Sequence, residues 1–136
     1  MKRTEIRELT FQLLYSHEIQ KEMDEEQIKL FLEENNITEE QQIAYIQDVF
    51  QGIETYKEQI EKLIADNLKE NWTMQRIAKI DLAILKLAIY EMIFAKLPYK
   101  VVINEAGELA KKYGDDNAKS FVNGILASIV KEEKLA

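Results

Sequence analysis

At 136 residues the chain has the length of one domain, residues 1–136, and is long enough to bury a sizeable core. Its net charge of −7 argues against a general nucleic-acid binder, whose affinity comes mostly from neutralised phosphates, and suits a basic protein partner. The absence of cysteine excludes disulfides, zinc–thiolate sites and thiol nucleophiles together. Four glycines and one proline leave little material for tight turns and favour long helices over strands. The basic start MKRTEIRELTF is followed by no apolar segment of signal-peptide type, so a cytoplasmic protein is expected.

The first helix is predicted from about Thr4 to Gln20, with Ile6, Leu9, Leu13 and Leu14 on its apolar face. Asp24 with Gln27 reads as a capping box opening a second helix that buries Ile28, Phe31 and Leu32 and ends at Asn35-Asn36. Thr38 with Gln41 is expected to cap a third, whose core face is Ile43, Ile46, Phe50 and Ile53. Gly52 and the Thr55-x-x-Glu58 box predict a break, after which a fourth helix carries Ile60, Leu63, Ile64 and Leu68.

Ile77 to Ala95 is apolar except at Lys79, Asp81, Lys86 and Glu91. A helix apolar on nearly every side is surrounded by other helices, and this one is too short and too charged to span a bilayer. It is expected to start near Thr73, to end before Pro98, and to form the centre of a bundle. The line Lys79, Ala83, Lys86 and Tyr90 is its least crowded side, open to solvent or a partner. A sixth helix spans about Val101 to Tyr113, with Ile103, Ala106 and Ala110 inward and Gly114 as a left-handed cap. Asn117 should cap a seventh, with Phe121, Val122, Ile125 and Ile129 apolar and Gly124 marking close helix contact.

Catalytic chemistry finds little footing. Neither phosphate-binding glycine motif is present, and His17, the only histidine, follows Leu14 where a bundle metal site would have Glu. Catalytic, metal and cofactor sites are therefore expected to be absent. Asp81 and Glu91 lie among apolar residues, where pairing with Lys or Arg is the better expectation than catalysis. Arg3, Arg7 and Tyr15 combine cations with an aromatic, the makings of a single-stranded RNA surface, though terminal cations are common and Tyr15 could be core. Gly114 to Phe121 adds a helix N-terminus and Lys119, which could hold phosphate or be only a well-capped connection.

The runs DLAILKLAIYEM, LPYKVVINEAGELAKKYG and FVNGIL, with RELTFQLLYS near the start, resemble the bacterial transcription antitermination factors of the NusB family from about Arg3 to Leu126. The resemblance implies an all-α fold of about seven helices, two three-helix bundles packed roughly crosswise around the central hydrophobic helix. It also implies a non-enzymatic adaptor. With NusE, a small-subunit ribosomal protein, it would bind boxA single-stranded RNA, notably in ribosomal RNA operons. That complex would modify the RNA polymerase elongation complex alongside other Nus factors, with no cofactor and no membrane. Carried over by position, the RNA surface comprises Lys2, Arg3, Arg7, Tyr15, Asn117, Lys119 and Phe121, and the NusE contact is Asp81.

Two departures bear on strength. Thr4, Glu5 and Ile6 dilute the family's arginine cluster, and Ser120 stands where the family commonly has Lys before Phe121. RNA affinity should therefore depend on the partner. The alternatives are an acidic protein-only interaction module, or a partner module of a ribosomal RNA methyltransferase. A free monomer and a free homodimer both fit the sequence.

Overall fold

The computed structural model describes residues 2–21 and 24–135. Its elements are α1 (Arg3–Gln20), α2 (Glu25–Glu34), α3 (Glu40–Thr55), α4 (Lys57–Asp66), a 3-10 turn (Met74–Arg76), α5 (Lys79–Ile89), a π turn (Tyr90–Phe94), α6 (Tyr99–Tyr113) and α7 (Ala118–Glu132). All seven expected helices are present, and no strand occurs among the described residues. No described helix is long and apolar enough to cross a membrane.

Helix α5 is the hub. Asp81 to Leu85 and Leu87 to Ile89 are all buried, so the helix is enclosed on nearly every side. Around it pack Phe11 and Leu14 from α1, Val49 from α3, Ile60 and Ile64 from α4, and the apolar faces of α6 and α7. Each fully buried Leu or Ile contributes roughly 1.5–3 kcal/mol, so this cluster dominates the stability. A smaller cluster of Ile6, Leu13, Ile37 and Ile46 lies under α2. Tyr45 and Phe50 pack against both clusters and join the two halves of the molecule.

Local departures have tertiary causes. The capping box of α2 forms as expected: Asp24 Oδ1 accepts from the Gln27 N–H at 2.8 Å, and Gln27 Oε1 accepts from the Asp24 N–H at 3.0 Å. Ile28, Phe31 and Leu32, expected to be buried, are only half-buried, because α2 covers the small cluster from outside. The Thr38–Gln41 cap does not form. Asn36 turns the chain with φ 55°, Ile37 drops into the core, and α3 begins only after Glu39. The break after α3 falls at Tyr56 without the Thr55–Glu58 box; the Tyr56 ring stacks on Phe94 at 3.9 Å instead.

The central helix also begins later than expected, at Lys79 rather than near Thr73, because Ile77 is extended and buried. At its far end the Ala95 N–H donates to the Tyr90 carbonyl at 2.9 Å, the wider spacing of a π turn. The line through Lys79, Ala83, Lys86 and Tyr90 is a seam rather than an open face. Ala83 is buried, Lys86 pairs with Glu18 of α1, and the Tyr90 ring occupies the space beside Gly52 of α3.

Between α6 and α7, Gly114 is extended (φ −91°), not left-handed. A Cβ there would collide with the Ala118 side chain and lie 2.8 Å from the Ala110 carbonyl, so space rather than φ demands glycine. Gly124 is not a contact point, since nothing lies within 4 Å of where its Cβ would be. The close approach is made by Gly107 of α6, against Lys119 and Asn123 of α7.

Gly52→Ala should therefore lower stability by about 1–3 kcal/mol through overpacking on Tyr90. Urea unfolding of Gly52→Ala, alone and in a Tyr90→Ala background, checks this: the cost should nearly vanish in the second case.

Candidate nucleic-acid and partner interface

Arg7 is the first residue whose position the fold changes. Its place on α1 points it inward, leaving the residue 3% exposed. Its Nε donates to Glu91 Oε2 at 2.9 Å, Nη2 donates to Glu91 Oε1, and Nη1 pairs with Glu105 of α6. The Tyr45 hydroxyl of α3 donates to Glu91 Oε2 at 3.3 Å. Burial works against the Arg7 charge, yet the hydrogen bond and attraction of Glu91 outweigh it and hold the guanidinium pKa above its ordinary value. Burial first, then the Glu91 charge, push the Tyr45 phenol well above its usual range, so it remains a neutral donor. Four elements are tied at one point.

The other sequence-derived residues stay at or near the surface. Lys2 and Arg3 are exposed at the start of α1, with Arg3 beside a cleft of about 490 Å³ lined by Ile6, Tyr45 and Tyr90. Tyr15 is half-buried and stacked on Phe11 (6.4 Å between centroids, 14°), which leans on Tyr113. Gln12 fixes that end of α6 by donating to the Tyr113 hydroxyl at 2.9 Å. Asn117 and Lys119 are exposed and Phe121 half-buried. Asn117 caps α7 by position only; no side-chain cap forms, and its own N–H is taken by Asp115 Oδ1 at 2.9 Å. The residues do not converge on one pocket. Asn117 and Phe121 share a groove, whereas Lys119 lies over Gly107 on the α6 side.

Asp81 sits in the first turn of α5, beneath the α6–α7 turn, 8% exposed and without the expected Lys or Arg partner among the described residues. Burial, then the neighbouring Asp115 carboxylate, raise its pKa. Together the two acids form an anionic spot suited to a cationic side chain of a partner. Glu91, by contrast, has the expected arginine.

Sequence reasoning passed over Trp72. Its ring is tilted against Phe121 at 5.5 Å, and Arg76 stands 5.0 Å from its centroid. An exposed aromatic in a polar stretch, Asn71-Trp72-Thr73, was the available signal. Among the described residues no group of three or more His, Cys, Asp or Glu side chains could hold a metal ion.

This arrangement defines an all-helical binding protein: a tied scaffold carrying cations, aromatics and an anionic spot on separate surfaces. The family model described as the NusB family matches residues 4–131. The transcription antitermination protein NusB of Acetivibrio thermocellus is 45% identical over 132 residues, spanning 96% of this chain and 90% of that protein. That of Clostridium novyi is 43% identical over 133 residues, spanning 96% and 99%. Among solved structures, NusB of T. maritima matches with a TM-score of 0.84 at 35% identity, covering 97% of this chain and 92% of that one. A complex of NusB and NusE with double-stranded RNA matches with a TM-score of 0.84 at 29% identity, covering 97% and 99%. The chain belongs to the NusB family.

Two measurements check the site. Arg7→Ala or Glu91→Gln should cost about 3–5 kcal/mol in chemical denaturation, the penalty of stranding a buried partner. Arg7→Ala should leave the salt dependence of RNA binding unchanged, because a buried cation releases no phosphate counterions.

For Asp81 the sign follows from its raised pKa. The folded state holds the proton more tightly than the unfolded one, so ionisation at neutral pH costs stability, and that cost is absent below the ordinary value of about 3.9, where the carboxyl is protonated in both states. Asp81→Asn should raise the melting temperature at pH 7, with the gain shrinking as pH falls towards about 4. A gain that does not depend on pH would show that charge is not its source.

Proposed function

We propose that this chain is a cytoplasmic, non-enzymatic transcription antitermination factor. It pairs with NusE, binds boxA of nascent RNA, notably from ribosomal RNA operons, and modifies the RNA polymerase elongation complex. The observation that carries the reading is the match, over nearly the whole chain, to NusB in a complex with NusE and RNA. One helical domain supplies both surfaces.

Lys2 and Arg3 hold phosphates from the start of α1, and Tyr15, Asn117, Lys119 and Phe121 contribute the rest of the RNA surface. Arg7 acts through the scaffold, because its guanidinium is committed to Glu91 and Glu105. Asp81, with Asp115 beside it, receives a cation of NusE; its missing intramolecular partner supports that role. The net charge of −7 repels RNA from a lone chain, so the basic component of the complex has to come from NusE.

A three-component assay tests the reading. The chain and NusE together should retain labelled boxA RNA more tightly than either alone, and Arg3→Ala should flatten the salt dependence. If NusE binds the chain but RNA retention never tightens, the chain is a protein-only module and the adaptor reading is wrong.

A further inference from the structure

The connection between α4 and α5 faces α7 across a groove of about 570 Å³, within the usual size range of small-molecule pockets. Trp72 stands at its edge. Asn71, at φ 76°, turns the chain there, and the Trp72 N–H donates to the Lys69 carbonyl at 3.0 Å. A tryptophan serving only the core would be covered, yet this one is 41% exposed, and its indole N–H has no protein acceptor among the described residues. The ring is nevertheless held in place. Phe121 is tilted against it at 5.5 Å, and Arg76, donating to the Asn71 carbonyl at 3.0 Å, stands 5.0 Å from its centroid. Gly124, with nothing within 4 Å of a would-be Cβ, leaves the groove open beside these rings.

We propose that this groove is a slot for one unpaired nucleobase, stacked on Trp72 and Phe121, with Arg76 and Lys69 holding the flanking phosphates. The inference rests on the RNA-binding reading above and adds to it a residue that the family resemblance did not carry. Aromatic faces with cations at the rim fit a base on an anionic backbone, and stacking there tolerates any base. Of the acids flanking the lining residues, Asp115 accepts from the Asn117 N–H and Glu132 accepts from Asn67 at 2.9 Å, while Glu70 and Asp116 are exposed beside Lys69 and Asn117.

The test uses the full chain with NusE and boxA RNA carrying a single abasic nucleotide, scanned along its length. Trp72→Ala should weaken RNA retention about 5- to 150-fold, the equivalent of about 1–3 kcal/mol, while Trp72→Phe keeps most of it. One abasic position should cost the wild-type chain the same factor and cost Trp72→Ala nothing further. Gly124→Leu should fill the slot and lose RNA, with NusE binding and melting temperature maintained. Full RNA retention by Trp72→Ala and Gly124→Leu overturns the slot and leaves the adaptor reading standing. Weaker binding of NusE alone by Trp72→Ala would assign the groove to a protein and overturns it too. Failure of the wild-type chain and NusE to retain any RNA overturns both readings.

Discussion

The buried contact of Arg7 with Glu91 and Glu105 is the constraint on which the arrangement of surfaces depends. A guanidinium offers five donors in a fixed plane, so a bidentate bond to Glu91 sets the rotation of α1 about its axis as well as its position. The π turn that closes the central helix carries Glu91, and α6 brings Glu105 from the other side. Removing these charges from water is costly, and only a nearly complete set of partners makes the cluster tolerable. The consequence is directional. With Arg7 facing inward, Lys2 and Arg3 lie at the exposed start of the same helix, and two turns further on Tyr15 is held against Phe11, which in turn leans on Tyr113.

The same economy separates the two binding roles. Cations and aromatics are distributed along α1, the α4–α5 connection and α7 rather than gathered in one pocket. The anionic spot of Asp81 and Asp115 lies under the α6–α7 turn, where a carboxylate without a partner is held at a cost. Positions held at such a cost are where stability and function commonly oppose one another. A net charge of −7 opposes long-range attraction of a polyanion to the chain on its own.

Glycines show where sequence reading stops. Gly52, Gly107, Gly114 and Gly124 are alike in sequence, yet one makes room for a tyrosine ring and one for the side chains of α7. Another allows a turn to close, and the last faces open space. Local rules predict a left-handed cap at Gly114 and a helix contact at Gly124, and in both places tertiary neighbours decide otherwise. The Thr38 and Thr55 caps failed for the same reason, because the burial of Ile37 and the stacking of Tyr56 on Phe94 set those helix ends. The capping box of Asp24 formed because it needs nothing beyond its own four residues.

By itself the sequence determined the number and order of helices, the central place of the stretch from Ile77 to Ala95, and the family to which the chain belongs. Those properties follow from the period of apolar residues and from motifs, both of which are local in the chain. The tertiary structure alone decided which charges are buried and which are free. Arg3 and Arg7 are four residues apart in sequence, on one side of one helix, and no local rule separates them. The distinction comes from Glu91 and Glu105, 84 residues and more away, which claim one arginine and leave the other to solvent. Trp72 was hidden for the same reason: its meaning lies in Phe121, which only the fold brings to its side.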